Sequence, residues 1–267
     1  MILSDTHVHT QFSSDSQEPM ENMVKRGIEL GLKEIYFTDH MDLDFPKQYK
    51  YDFLFDIHAQ QAGISRLDKK YSEITLYRGI ELGLQPHLAK QADQLLSENS
   101  FDYVIGSVHV VDGLDPYYPE YWEGKNSEEA GILHYFETAL SCLETMHNFD
   151  SFGHLDYIIR YAPSGPKNYS YKRYCDVIDA ILISLIQNGK SLEMNTSGYK
   201  KNGFSNPHLD IIKRYLELGG ENITIGSDGH DTLHLSLDFE TAFYECRKIG
   251  LSSYTTYQNR KPIHHAI

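Results

Sequence analysis

The sequence has few cysteines, and none of them occurs in a paired spacing. Its three cysteines, Cys142, Cys175 and Cys246, lie far apart in a chain of 267 residues. An odd number without a CxxC motif argues against a disulfide framework and against a cysteine-type structural zinc site, and it predicts a reducing, cytoplasmic location. The three side chains are therefore expected to be small buried residues.

Long apolar runs and a leader-like N-terminus are also missing. The most apolar stretch, Val177–Ile186, is shorter than the roughly 18 residues that a membrane span requires. The first residues, MILSDTHVHT, contain no basic segment followed by an apolar one, so no signal peptide is expected. The sequence therefore predicts a protein without a membrane partner.

Positive charge is in deficit. The chain has 24 lysines and arginines against 38 acidic residues, for a formal net charge of -14. Domains that bind nucleic acids usually present a basic face, so no nucleic-acid partner is expected. An acidic protein can still bind phosphate where bound metals reverse the local charge. The sequence does not indicate an oligomeric state.

Short β-branched runs alternate with longer amphipathic segments along the chain. Seven strand-then-helix units predict an α/β fold with a parallel sheet in one domain, residues 1–267. An open sheet and a closed barrel both satisfy this alternation, but no GxGxxG follows the first strand, which argues against a dinucleotide-binding fold. The predicted strands are Ile2–Leu3, Glu34–Thr38, Thr75–Ile80, Tyr103–Val108, Ser151–Gly153, Ser191–Met194 and Ile223–Ile225. The predicted helices are Met20–Leu30, Asp52–Lys69, Pro86–Leu96, Glu128–Met146, Arg173–Gln187, Pro207–Leu218 and Asp238–Lys248.

Two local expectations concern the second half of the chain. Asn206 precedes Pro207, which predicts that Asn206 caps a helix whose first residue is the proline. His264 and His265 are expected to lie in a solvated C-terminal tail.

Histidines and acidic residues follow almost every predicted strand. In chain order they are His7, His9, Asp39, His40, Glu81, His109, His154, Asp228 and His230. The carboxyl ends of parallel strands converge in α/β folds, so residues remote in sequence meet there. Residues two apart on a strand face the same side, so HxH at 7–9 and DGH at 228–230 each aim two ligands into one cavity. A single histidine of this kind is usually solvated or hydrogen-bonded, but the whole set predicts a metal site for zinc, iron or manganese.

These residues lie in motifs by which the sequence resembles the polymerase and histidinol phosphatase (PHP) family, and within it the histidinol-phosphatase branch. The motifs follow the family's order over nearly the whole chain. They are THVHT at 6–10, FTDH at 37–40, RGIELG at 78–83, GSVH at 106–109, FGHLD at 152–156 and GSDGH at 226–230. Each motif is weak alone, and the agreement of six makes the resemblance specific.

The resemblance implies a distorted (β/α)7 barrel of the TIM type, with three divalent ions at the carboxyl ends of its strands. One ion would take His7, His9, Glu81 and Asp228. A second would share Glu81 with His109 and His154. A third would take Asp15, His40 and His230. Many relatives have histidine at the position of Asp15, so the third site departs from the family pattern, although a carboxylate also binds these metals.

Such a centre predicts a metal-dependent phosphomonoesterase. Three divalent ions, three carboxylates and one bridging hydroxide leave a charge of +2, which a phosphate monoester dianion neutralises. The resemblance implies that L-histidinol phosphate is hydrolysed to L-histidinol and phosphate, in histidine biosynthesis, by attack of a metal-bridging hydroxide.

Several further residues are assigned to this reaction. Arg160 is expected to bind a phosphoryl oxygen. Asp15, His230 and an ion-bound water are the alternatives for protonating the leaving group. The residues expected to line the substrate site beside Arg160 are Phe12, Asp42, Tyr117 and Tyr199, since acidic and aromatic groups suit an amine and an imidazole.

Three other functions compete with this interpretation. A phosphodiesterase or nuclease of the same family, acting on short oligonucleotides or other phosphoesters, would use the same metals. It would also need a basic groove with stacking aromatics, and the basic run is missing. An amidohydrolase that cleaves C–N bonds would usually have a bridging lysine after the fourth strand, where this chain has His109. A complete ligand set argues against a non-catalytic metal-binding module.

Overall fold

A parallel β-sheet forms the centre of the computed structural model, which describes residues 1–267. Seven strands follow one another around the sheet in chain order, and the two-residue strand β3 pairs with β4. The strands are β1 (Ser4–Val8), β2 (Glu34–Phe37), β3 (His40–Met41), β4 (Thr75–Gly83), β5 (Tyr103–Ser107), β6 (Ser151–Phe152), β7 (Ser191–Asn195) and β8 (Ile223–Gly226). Most strand residues are buried, as a parallel sheet covered on both faces requires.

The first and last strands meet and nearly close the sheet into a barrel. Val8 forms a parallel bridge with Gly229, and the amide of His9 donates to the carbonyl of Gly229 at 2.9 Å. The Thr6 hydroxyl donates to the carbonyl of Ile225 at 3.0 Å. The predicted α/β barrel of the TIM type is therefore confirmed. Closure brings the carboxyl ends of the strands to one rim.

Helices surround the sheet. They are α1 (Met20–Leu30), α2 (Ile57–Lys70), α3 (Ala89–Glu98), α4 (Pro119–Glu123), α5 (Glu128–Thr145), α6 (Cys175–Gln187), α7 (Ser197–Asn202), α8 (Leu209–Glu217) and α9 (Phe239–Lys248). The Ser127 hydroxyl accepts the Ala130 amide at the start of α5, and Gly31, with a φ of 78°, ends α1. None of these helices is both long enough and apolar enough to cross a bilayer.

Instead of the expected tail, the C-terminal segment forms an antiparallel hairpin, in which His264 is exposed as expected and His265 is half-buried. Strands β9 (Ser253–Gln258) and β10 (Lys261–Ala266) pair along their whole length. His265 Nε2 lies 2.7 Å from the Thr256 hydroxyl. The turn residues Asn259 and Arg260 have φ values of 49° and 63°, which is typical of a type I′ turn. The usual glycine at the second position is missing, so the sequence carried no clear turn signal.

The hairpin covers the amino-terminal end of the barrel. The Tyr257 ring stacks on Tyr103 with centroids 5.2 Å apart, and its hydroxyl lies 2.7 Å from that of Ser191. The Tyr36 hydroxyl donates to the Tyr257 carbonyl at 2.8 Å. Tyr103 and Ser191 are the first residues of β5 and β7, so this end is filled by protein and only the opposite rim remains open.

The helix expected to begin at Pro207 begins two residues later. His208 precedes Leu209, and its Nδ1 accepts the amide of Asp210 at 3.2 Å, so His208 is the cap. The Asn206 side chain instead donates to Asp156 at 2.6 Å and accepts from Arg160 at 2.8 Å. The capping prediction for Asn206 is therefore wrong, because its polar groups serve contacts across the barrel rim.

Candidate metal centre

The nine ligands that the family resemblance implies, Asp15 among them, lie together at the open rim, around the carboxylate of Glu81. This side chain projects from β4 and has no exposed surface. Its Oε2 lies 3.2 Å from His7 Nε2 and 2.9 Å from His40 Nδ1. Its Oε1 lies 2.9 Å from His154 Nε2 and 3.3 Å from His109 Nε2. Glu81 therefore faces histidines from four other segments of the chain.

Two groups of ligand atoms share Glu81. In the first, His9 Nε2 lies 3.3 Å from Asp228 Oδ1 and 3.5 Å from Glu81 Oε2, and His7 Nε2 lies 3.8 Å from Asp228 Oδ1. In the second, His109 and His154 face the other oxygen of Glu81. These are the two sets that the family resemblance implied for the first and second ions.

A third group lies nearest to solvent. Asp15 Oδ2 is 3.1 Å from His230 Nε2 and 3.7 Å from His40 Nε2. The side chains of Asp15 and His230 are each 27% exposed, whereas those of His7, His9 and Glu81 have no exposed surface. The third group is therefore the one most open to the medium.

The donor atoms of these groups suit divalent cations. Several are buried and have no hydrogen-bond partner, which is rare for polar atoms in folded proteins. These atoms are His7 Nε2, His9 Nε2, His40 Nδ1, Glu81 Oε2 and His230 Nε2. The lone pairs of neutral imidazoles and carboxylates repel one another at such distances unless a proton or a metal ion lies between them. Nitrogen and oxygen donors without thiolates favour zinc, iron or manganese.

The carboxylates raise the pKa of several imidazoles in the cluster. Burial disfavours the charged form of His7, but the charges of Glu193 and Glu81 outweigh it and raise its pKa well above the usual range. Burial also opposes the charging of His230, but the Asp15 carboxylate, 3.1 Å from its Nε2, raises the pKa of His230 to about 9. Because a metal and a proton compete for the same imidazole nitrogen, metal affinity should fall as the pH falls.

A layer of buried carboxylates holds the ligand-bearing segments; Asp5 and Glu193 were not predicted from the sequence, whereas Asp39 was counted among the possible metal ligands. Asp5 accepts the amides of Ser227 and Ser236, both at 2.9 Å, and Asp39 accepts the amide of Thr10 at 2.6 Å. The signal was an acidic residue within an otherwise buried strand, as at Asp5 and Glu193. Such a residue requires hydrogen-bond partners and therefore marks a polar region of the fold.

Asp42 belongs to the same layer. It was expected to line the substrate site, and it does line the cavity at the rim, but its side chain is 2% exposed. Its Oδ1 lies 2.8 Å from His109 Nδ1, so Asp42 orients a predicted ligand. A Cβ atom at position 83 would lie 2.1 Å from this oxygen, which explains why Gly83 ends β4.

Arg160 lies at the edge of the cluster, and its side chain is 3% exposed. Its Nη1 donates to Asp228 Oδ2 at 3.0 Å, and its Nε donates to Asn206 at 2.8 Å. Its Nη2 donates to Asn195 at 3.0 Å and to Ser197 at 2.7 Å. The guanidinium therefore holds a predicted metal ligand, and it also forms part of the cavity wall.

A cavity of about 370 Å³ opens above the cluster. Its wall combines aromatic with charged side chains. The aromatic ones are Phe45, Phe53, Tyr157 and Tyr161, and the charged ones away from the ligand groups include Asp115, Lys200, Lys201 and Asp231. This volume is in the range of small-molecule sites.

Three residues predicted to line the substrate site do not reach the cavity wall. Phe12 packs against Phe55, with ring centroids 6.2 Å apart. Tyr117 is 58% exposed, and the hydroxyl of Tyr199 donates to Glu245 on α9. Tyr199 lies on α7, and its contact with α9 turns its side chain away from the cavity.

Replacing Asp15 with alanine should selectively empty the third group. We expect the variant to lose about one equivalent of metal, because His40 and His230 alone leave too few ligands there. Asp231→Ala is the matched control, since Asp231 lines the same cavity but pairs with His234 at 2.7 Å, outside the ligand groups. Metal analysis after equilibrium dialysis decides the question. Equal metal content in Asp15→Ala and the unmodified protein would exclude Asp15 as a ligand.

Sequence comparisons agree with the motifs. The chain matches the family model of the PHP domain over residues 5–197. The protein named "Probable histidinol-phosphatase" of Clostridium acetobutylicum is 35% identical, over 90% of this chain and 91% of its own length. The histidinol-phosphatase of Lactococcus lactis is 32% identical, over 96% of this chain and 95% of its own.

Structural comparisons also find histidinol phosphatases. The histidinol phosphate phosphatase of Lactococcus lactis, complexed with zinc, L-histidinol and phosphate, has a TM-score of 0.89 at 29% identity, covering 97% of this chain and 98% of that one. A structure from Listeria monocytogenes has a TM-score of 0.77 at 20% identity, covering 89% of this chain and 99% of that one, and shows a shared fold.

Proposed function

The chain belongs to the PHP family, and from this premise we propose that it is a metal-dependent phosphomonoesterase that hydrolyses L-histidinol phosphate to L-histidinol and phosphate. The observation that carries the proposal is the convergence of six imidazoles and two further carboxylates around Glu81, beneath a cavity open to solvent. Relatedness to histidinol-phosphatases over nearly the whole chain supports the substrate and a role in histidine biosynthesis. The cytoplasmic location stays a prediction from the cysteine content.

The three ligand groups are assigned one divalent ion each, of zinc, iron or manganese. The zinc in the Lactococcus lactis relative and the unpartnered donor atoms of this chain support the assignment. His7, His9 and Asp228 would hold one ion with Glu81. His109 and His154 would hold a second ion with Glu81, and the third would be held by Asp15, His40 and His230. When bound, such ions supply a nucleophile at neutral pH and positive charge for the phosphoryl oxygens.

Arg160 would bind the phosphoryl group from the cavity wall. Its guanidinium is permanently charged, and its contacts with protein groups use four of its five N–H donors, so one Nη1 hydrogen remains for a phosphoryl oxygen. Because Asn195, Asn206 and Ser197 already hold it in one orientation, little conformational freedom is lost when the substrate arrives.

The leaving oxygen of L-histidinol needs a proton. Asp15 and His230 lie 3.1 Å apart, and both border the cavity. They can share a proton close to a bound ester only while the third ion is absent, because side chains that bind a metal are deprotonated. Asp15 and His230 are therefore the proposed proton donors of a centre that lacks this ion.

The organic part of the substrate carries an amine and an imidazole, and the cavity offers partners for both. Asp115 is 7% exposed, and one of its oxygens accepts the Tyr117 amide at 2.8 Å. Burial raises the pKa of Asp115 to about 6, so it is ionised at neutral pH and suits an ammonium group. Phe45 and Phe53 present rings to the same cavity, and aromatic faces attract cations. These three residues are the proposed substrate contacts in place of Phe12, Tyr117 and Tyr199.

A substrate comparison tests the proposal. We expect kcat/KM for L-histidinol phosphate to exceed that for p-nitrophenyl phosphate by about a hundredfold or more, because an ester without the amine and the imidazole leaves the buried polar groups of the cavity without partners. Bis-p-nitrophenyl phosphate and short oligonucleotides serve as diester substrates in the same assay. Faster cleavage of a diester than of L-histidinol phosphate would contradict the proposal and favour a phosphodiesterase.

A further inference from the structure

Glu193 is a buried carboxylate in the centre of β7 that belongs to none of the three ligand groups. We propose that Glu193 is a positioning residue that holds His7 and His154, ligands of two different ion positions, and thereby sets the metal affinity of the centre. This inference rests on the metal binding in the proposed function, but not on the identity of the substrate.

The contact with His7 fixes the state of its ring. Glu193 Oε1 lies 2.6 Å from His7 Nδ1, and neither side chain has any exposed surface. Because a carboxylate accepts hydrogen bonds, Nδ1 must carry the proton. The unpartnered Nε2 is then left with a free lone pair that faces Glu81 and Asp228. Carboxylate partners of this kind orient histidine ligands and raise their basicity.

The second oxygen of Glu193 holds the segment after β6. Glu193 Oε2 accepts the backbone amide of His154 at 2.8 Å and the side-chain amide of Asn195 at 3.2 Å. His154 has a φ of 23°, which non-glycine residues seldom adopt. Strained backbone of this kind persists only where the surrounding contacts require it. Glu193 supplies one such contact and so aims the His154 ring at Glu81.

The neighbouring strand leaves room for the pair. A Cβ atom at position 226 would lie 2.3 Å from the His7 Cβ and 2.9 Å from Glu193 Oε1. Gly226, at the end of β8, therefore allows His7 and Glu193 to meet. The local packing is built around their contact.

No positively charged lysine or arginine compensates the charge of Glu193. Its hydrogen-bond partners are His7, the amide of His154 and the side chain of Asn195, and no lysine or arginine pairs with it. A buried carboxylate without a cation destabilises a fold strongly. If this residue served stability alone, a neutral side chain would therefore be better. A role in holding the ligands of bound cations explains why the residue is acidic.

Glu193→Gln tests the inference. The amide NH2 would have to face either His7 Nδ1 or the His154 amide, both of which donate in the native arrangement. We expect the half-saturating zinc concentration, measured by competition with a chelating dye, to rise about 10- to 100-fold. Turnover should recover as zinc is added, which a purely structural defect would not allow. A Glu193→Gln variant that binds zinc like the unmodified protein would overturn the inference.

Two further variants keep the test decisive. Asp150→Asn is the matched control, because Asp150 is also buried and accepts an amide, that of Val104 at 2.8 Å, but at the amino-terminal end of the barrel. It should keep unmodified zinc affinity. If Glu193→Gln does not fold, Glu193→Asp withdraws the carboxylate by one methylene group and should weaken zinc binding at least about tenfold. Unaltered affinity in that variant would overturn the inference. Absence of zinc binding in the unmodified protein would instead refute the proposed function.

Discussion

Replacing Glu81 with glutamine should lower kcat/KM for L-histidinol phosphate by about a thousandfold or more. Both of its oxygens face ligand groups, Oε2 towards His7 and His40 and Oε1 towards His109 and His154. Glutamine removes the negative charge and turns one acceptor into a donor, so no cation can be shared between the groups. Metal ions supply several kcal/mol of transition-state stabilisation in such reactions, and each 1.4 kcal/mol is about a tenfold change in rate.

The metal content of Glu81→Gln is measured together with its kinetics. Glu217→Gln is a suitable control, because Glu217 is half exposed on α8, pairs with Arg214 and does not line the cavity. It should keep full metal content and activity. A Glu81→Gln variant with unchanged metal content and turnover would show that the cluster around Glu81 is not the catalytic centre.

Replacing Arg160 with alanine should lower kcat/KM by about 100- to 1,000-fold, the range seen when one donor to a developing anion is lost. The structure adds a second reason for the effect. Arg160 donates to Asp228 Oδ2, and removing one partner of a buried ion pair is costly. The proposed ligand atom of Asp228 is the other oxygen, Oδ1, which faces His9 at 3.3 Å. Metal content at saturating zinc should therefore stay intact while turnover falls.

Arg214→Ala is the control for Arg160. Arg214 pairs with Asp179 between α6 and α8, at 2.7 Å, and does not border the cavity. Its loss should leave the kinetics unchanged. Arg160→Lys keeps the positive charge without the planar fork, so we expect it to recover only part of the activity. Unchanged kinetics in Arg160→Ala would remove this residue from the active site.

The helices and strands were predictable because the spacing of apolar residues that specifies them is a local pattern in the sequence. The helix predicted at Met20–Leu30 has those bounds in the structure, and the strand predicted at Tyr103–Val108 differs by one residue. The hairpin of β9 and β10 was missed, because its turn lacks glycine and its buried face contacts the barrel end rather than a neighbouring helix. Such long-range packing leaves little trace in a local pattern.

The ligand cluster was predictable for a geometric reason. All ligands but Asp15 lie at or just after the carboxyl end of a strand, and parallel strands end at one rim, so His7 and Asp228 meet although they are remote in sequence. The supporting residues were not predictable in the same way. Asp5 and Glu193 lie within strands, and their partners are known only once the strands are placed side by side. Substrate contacts such as Asp115 depend on how loops pack, which strand periodicity does not specify.

The central claim is that bound metal ions at the nine-residue cluster catalyse hydrolysis of L-histidinol phosphate. It is tested most directly by the release of inorganic phosphate from this ester by three samples of one preparation: protein as purified, protein stripped by a chelator, and stripped protein restored with zinc or manganese. We predict activity in the first sample, loss of at least about a thousandfold in the second, and recovery in the third. Full activity in stripped protein with no detectable metal would contradict the account.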